Sequence, residues 1–171
     1  MAIVMAVAAL DTYLHRRVHE STAPGKHLPA PLSNIRLNFG DMAELANASL
    51  AARRQNPPVK DRPWVRVRNV LNDRLLKITF QSASEVADAL AMIGISQGWK
   101  KIATELFVTD SGPIQEELNR IVRRRNQVVH EGDFKQLYRP HSLRRNQISH
   151  DEAETAIVWV ELLINAMDKI S

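Results

Sequence analysis

The amino-acid sequence predicts an all-α fold. Apolar residues recur at helical spacing in one segment after another. No run alternates apolar and polar residues for long enough to demand a sheet. Pro, Gly and Ser- or Asp-led caps fall between the periodic segments, where helices should start and stop. The 171 residues suit one domain, residues 1–171, and are enough to bury a core. The expectation is a bundle of roughly five to seven helices.

Residues 2–20 place Ile3, Val7, Leu10, Leu14 and Val18 on one helical face, with Asp11 and Tyr13 off it. Pro24, Gly25, Pro29 and Pro31 mark residues 21–34 as a loop. Gly40-Asp41 starts a short helix through Ala43, Leu45, Ala46 and Leu50, and Asn56-Pro57-Pro58 ends it. Val65 to Leu76 reads as a helix with Val67, Val70, Leu71 and Leu75 inward, although its β-branched residues leave a strand open. Phe80-Gln81-Ser82 precedes an N-terminal signal at Ser84-Glu85, and the helix runs to Ile93 before Gly94 stops it. Trp99 to Phe107 follows, with Trp99, Ile102 and Leu106 inward. Asp110-Ser111-Gly112-Pro113 opens the next helix, whose buried stripe is Ile114, Leu118, Ile121, Val122 and Val129, with Gly132 as its stop. Residues 131–147 form a polar loop. Ser149-His150-Asp151-Glu152 is a capping box for a last helix with Ile157, Val160, Leu163, Ile164 and Met167 inward.

Composition narrows the chemistry. A hydrophobic share of 44% argues against disorder throughout. The absence of cysteine excludes disulfides, thiolate nucleophiles and cysteine-based zinc sites, and is in keeping with a cytoplasmic protein. Net charge is +4, and Arg outnumbers Lys by 16 to 7, a bias towards phosphate or carboxylate contacts. The apolar start, Ala2 to Leu10, is too short for a membrane span and lacks the basic residues that open a signal peptide. It reads as the first turns of a core helix, whose abrupt opening raises the expectation of a longer parent chain.

The string Arg124-Arg125-Asn126-Gln127-Val128-Val129-His130 carries the chemistry. A guanidinium holds phosphate through a rigid fork of donors, and imidazole moves protons near neutral pH. Together they suffice to cut a phosphodiester without a metal. On a helical wheel Arg125 falls within the apolar stripe, where a guanidinium is costly unless paired. Arg123, Asn126 and His130 share the polar face. Arg125 and His130 stand about 140° apart, so they converge only if the helix bends or ends near His130, or if a second subunit completes the site. Spacing alone also fits a plainer basic helix end, with Arg123, Arg124 and Arg125 as solvated cations and His130 at the negative dipole end.

A second string, Arg144-Arg145-Asn146-Gln147-Ile148-Ser149-His150, repeats five of the seven residues 20 positions later. Its His150 begins a helix, so it reads mainly as loop and cap. Contact with RNA or phosphate through Arg144 and Arg145 is the other reading. His15 and His19 have a metal-compatible spacing but no third ligand in sequence, and read as a polar helix face. Arg53 to Lys77 holds eight Lys/Arg against two Asp; it is either a solvated surface or a grip on a nucleic-acid backbone. No Gly-rich phosphate loop, GxSxG or HExxH occurs.

Arg125-Asn126-Gln127-Val128-Val129-His130, followed by Glu131-Gly132-Asp133, resembles the Arg-Asn-x-x-x-His signature of the HEPN superfamily. Thr79-Phe80-Gln81-Ser82, Trp99 ahead of a helix, and the opening Leu10-Asp11-Thr12-Tyr13-Leu14-His15 resemble its RiboL-PSP-type branch in order and spacing. The resemblance covers nearly the whole chain, from residue 5 to 170. It implies an all-α, HEPN-like bundle, dimeric, with active-site clefts where two signature helices meet. It also implies a metal-independent endoribonuclease of toxin–antitoxin or anti-phage systems, needing no cofactor; other members are non-catalytic RNA-binding or protein-interaction modules, and that is the alternative here.

Residue by residue, the signature falls on Arg125, Asn126 and His130. Arg123, Arg124, Arg144 and Arg145 are expected RNA or phosphate contacts, Arg124 extending the signature in kind only. The family supplies no role for the second string. The implied partners are RNA, with tRNA anticodon loops a family-level candidate, a second copy of the chain, and an antitoxin or larger defence protein. No membrane is implied.

Overall fold

An apolar side chain every third or fourth residue makes the first segment the centre of the molecule. The computed structural model describes residues 1–22, 28–36, 38–55, 63–130 and 149–171. Among the described residues all regular structure is helical. The elements are α1 (Ala2–Ser21), α2 (Ala30–Ser33), α3 (Phe39–Arg54), α4 (Pro63–Leu75), α5 (Ala83–Met92), α6 (Gly98–Glu105), α7 (Gly112–His130) and α8 (His150–Lys169). Helix α1 buries Ile3, Ala6, Val7, Leu10, Leu14 and Val18. It packs most extensively on α8, then on α7 and α5. One contiguous core unites these helices with α6, through side chains such as Phe80, Leu90, Ile102, Leu118 and Met167.

The eighth helix is α2, one turn inside the stretch whose prolines suggested only a loop. Pro29 is its N-cap and Pro31 lies in its first turn, where a fixed φ and a missing N–H suit a helix start. Leu32 anchors the turn in the core, and α2 packs on α5.

Helix α3 stands apart from the core, and α4 reaches it through Leu75, with Leu71 packed alongside. Asn38 caps α3 through a reciprocal box with Asp41, so the helix begins at Phe39, one residue ahead of the Gly40-Asp41 start expected from sequence. Ala52 is its buried residue, while Phe39, Met42 and Leu50 are exposed. It packs on α4, and Arg74 pairs with Asp41 across the contact. The β-branched residues of α4 do not make a strand. Leu75 is buried as expected, whereas Val67 and Val70 are only half-covered. Trp64 Nε1 donates to the Thr22 carbonyl at 3.0 Å, joining α4 to the end of α1.

Helices α5 and α6 end in the same way. After α5, the Ile95 N–H donates to Leu90 at 2.8 Å and the Gly94 N–H to Ala91 at 3.0 Å. After α6, the Val108 N–H donates to Ala103 at 2.9 Å and the Phe107 N–H to Thr104 at 3.1 Å. Each is a Schellman motif, which needs a left-handed residue after the cap. Gly94 supplies it at φ +88°, Phe107 at φ +56°. Hence α6 stops at Glu105 and does not reach Phe107 as the periodicity suggested.

Two further residues expected inside lie outside. Val129 is 46% exposed because α7 runs on past its last buried residue, Val122, and Ile157 is 41% exposed, its place on α8 taken by the smaller Ala156. The proposed stop at Gly132 and the loop 131–147 fall outside the described residues.

Candidate active site

The site is positioned by a junction that gathers four distant parts of the sequence. Asp11 Oδ1 on α1 accepts the Phe80 N–H at 2.6 Å. The His15 ring, one turn along, packs on the Phe80 ring with centroids 4.7 Å apart. Glu85 accepts the N–H groups of Gln81 at 3.0 Å and Ser82 at 2.8 Å, and the Thr79 hydroxyl at 3.0 Å. Burial would raise the Glu85 carboxyl, but the donors of Ser82, Gln81 and Thr79 outweigh it and hold the group below its ordinary 4.5. Trp99 Nε1 donates to the Ala83 carbonyl at 2.9 Å. Asn119 Oδ1 accepts the Ala83 N–H at 3.0 Å, so α7 itself helps to cap α5.

Helix α7 begins where Asp110 Oδ1 accepts the Gly112 N–H at 3.0 Å. It buries Ile114, Leu118, Ile121 and Val122. Arg125 follows on the same stripe. A guanidinium there must find partners or remain desolvated. Its Nη1 donates to Asn126 Oδ1 at 2.8 Å, and its Nε is buried without a hydrogen-bond partner among the described residues. The Arg and Asn of the signature thus touch directly. The positive charge of Arg125 is partly removed from water, which strengthens its attraction for an anion. His130 is one turn beyond Asn126 on the same helix.

The three consecutive arginines are separated, not clustered. Arg123 is exposed, with Nε donating to the Asn119 carbonyl of its own helix at 3.3 Å, and lines an open cleft with Ser82, Glu116, Asn119 and Val122. Arg124 is largely covered. It donates to Gln127 at 3.3 Å, and its Nε stands 3.9 Å from Glu152 in the first turn of α8. Arg120 lies 3.9 Å from the same carboxylate and pairs closely with Glu117, whose carboxyl it holds below the ordinary range. Arg144 and Arg145 lie outside the described residues.

Sequence reasoning missed Glu152 as a link between helices. Ser149 does cap α8, accepting the Glu152 N–H at 3.0 Å, but the reciprocal half of the expected capping box is not made, and the Glu152 carboxylate faces the arginines of α7. The signal was available in an acidic first turn, Asp151 and Glu152, on one helix and an arginine run on another. Asn119 was missed too, since a polar residue beside an apolar stripe has no distinctive spacing.

The helical histidines His15 and His19 have separate partners. The His15 ring stands 3.8 Å from Asp11, and His19 faces the Arg68 guanidinium at 3.1 Å. Among the described residues no group of three or more His, Asp or Glu is placed to hold a metal ion, and no helix is long and apolar enough to cross a membrane.

An all-helical bundle with an Arg-Asn-x-x-x-His string at the end of α7, the Arg set into the apolar stripe, defines a HEPN-type protein. The RiboL-PSP-HEPN family model matches residues 1–171. The chain belongs to the HEPN RiboL-PSP family. Searches of curated proteins and of solved structures found no match.

Proposed function

We propose that the protein is a metal-independent endoribonuclease that cuts RNA by attack of its own 2′-hydroxyl, and that it acts in toxin–antitoxin or anti-phage defence in the cytoplasm. The contact between Arg125 and Asn126 carries the reading: a partly desolvated guanidinium, oriented by the neighbouring amide at 2.8 Å, one turn from a histidine. In this mechanism His130 takes the 2′-hydroxyl proton. The 2′ oxygen bonds to the adjacent phosphorus as the bond to the 5′ oxygen breaks. The leaving oxygen takes a proton from a second histidine. The products are a 2′,3′-cyclic phosphate and a 5′-hydroxyl. Arg125 stabilises charge growing on the non-bridging oxygens, and Asn126 orients Arg125 or His130.

Two copies of the chain supply the acid and the base. The half-exposed Val129, one turn beyond Arg125 on the apolar stripe, supports a partner at this end of α7. Arg123 is the exposed phosphate contact on the helix; Arg124, drawn to Glu152, anchors α7 to α8. Arg144 and Arg145 add phosphate contacts from the neighbouring segment.

The test compares an RNA with the same strand carrying 2′-deoxyribose throughout, followed by end-group analysis. The reading requires cleavage of the RNA alone and cyclic phosphate at the new 3′ ends. Equal cleavage of the deoxy strand rejects it. RNA retarded on a native gel but never shortened transfers the protein to the non-catalytic binding modules of its family.

A further inference from the structure

Among the described residues, Phe107 combines two features that folding does not ask for. Helices α5 and α6 finish in the same hydrogen-bonded motif, and each needs a left-handed residue. At α5 that residue is Gly94, for which the conformation is free of strain. At α6 it is Phe107, at φ +56°, a region in which the Cβ of a bulky residue crowds the backbone. The ring gains nothing from the core in return: Phe107 is 96% exposed. Strain and exposed apolar surface thus coincide in one residue, a combination typical of sites kept for a ligand.

The surroundings say what kind of ligand. Phe107 borders an open cleft of about 560 Å³ with Lys100, Thr104, Thr109, Asp110 and Ser111. A flat ring flanked by an ammonium group and hydroxyls matches a nucleobase and its phosphate. The acids nearby are already engaged, Asp110 with the Gly112 N–H at 3.0 Å and Glu105 with Lys169 at 2.7 Å. A protein partner would ask for a continuous apolar patch, yet among the described residues lining the cleft the large exposed hydrophobics are Phe107 and Val108.

We propose that Phe107 is a stacking platform for one base of a single-stranded RNA, with Lys100 holding the adjacent phosphate. The choice of ligand rests on the ribonuclease reading. Helix α7 rises about 20 Å between Gly112 and Arg125, so the platform lies away from the signature and contributes to RNA binding, not to bond cleavage.

The experiment measures affinity of the full chain for a labelled single-stranded 2′-O-methyl RNA, which cannot be cut through its 2′ oxygen, using wild type, Phe107→Gly and Phe107→Trp. Phe107→Gly should bind about fivefold to a hundredfold more weakly, the range of one lost base stack, while melting no lower than wild type because glycine suits the backbone. Phe107→Trp should retain affinity, and its added fluorescence should be quenched by RNA. Equal affinity of Phe107→Gly and wild type, or a wild type that does not bind the single strand, overturns the proposal. Cleavage of unmodified RNA, run in parallel, separates the two readings. Cutting with unchanged binding by Phe107→Gly rejects the platform alone; a wild type that binds through Phe107 but cuts nothing rejects the nuclease alone.

Discussion

Asn119 on α7 accepts the Ala83 N–H in the first turn of α5 at 3.0 Å, two helical turns before Asn126. The same residue, Ala83, offers its carbonyl to Trp99 of α6. One peptide unit on each side of a residue thus ties α6 and α7 to the start of α5, and through Phe80 and Asp11 to α1. The helix that bears the signature is set by this junction well before the chain reaches Arg125.

Replacing Asn119 with Ala should therefore destabilise the fold by about 1–2 kcal/mol, the cost of leaving a partly buried N–H without its acceptor. Urea unfolding of the two proteins, followed by far-ultraviolet circular dichroism, measures it. No change in midpoint would mean that α7 does not depend on this bond.

Gly98 meets α5 at close range. A Cβ added there would lie 2.5 Å from Leu90 Cδ1 and 3.0 Å from its Cβ. Gly98→Ala should force the α5–α6 contact apart and cost about 1–3 kcal/mol, although alanine is the better helix former. A thermal melt that rises instead would show that the contact relaxes freely.

The Glu85 carboxyl sits below its ordinary 4.5 in the folded chain. The unfolded chain therefore takes up a proton first as pH falls, and the stability due to the ionised group, fully present above 4.5, is lost as pH drops through the lowered folded value. Melting temperature followed from neutral pH into acid should fall less steeply for Glu85→Gln than for wild type; parallel curves would remove Glu85 from the acid response.

Much of the fold is legible in the sequence because its signals are local. The α1 stripe, the Ser149 cap, Gly94 and the opening of α7 all depend on residues within a turn or two of one another, whereas α5 is capped by Ser82, two residues ahead of the signal read at Ser84-Glu85. Other features depend on distant parts of the chain. Leu32 turns a proline-rich stretch into α2 by reaching the core. Ala156 lies in the core while Ile157 faces outward. Phe107 adopts the conformation of a glycine. Within the candidate site, the helical wheel placed Arg125 in the apolar stripe, as observed. It could not show that Arg124 would meet Glu152, since that contact joins helices whose spacing along the chain carries no geometric information.

The central claim is that Arg125 and His130 cut RNA without a metal. The most direct test is a denaturing gel of total tRNA and a synthetic single strand in EDTA, with wild type, Arg125→Ala and His130→Ala compared after each is shown to be folded. The account predicts cleavage by wild type in EDTA. It predicts loss of about 10²–10³-fold for Arg125→Ala and about 10²–10⁴-fold for His130→Ala. Cleavage that persists undiminished in both variants, or that EDTA abolishes in wild type, would contradict it.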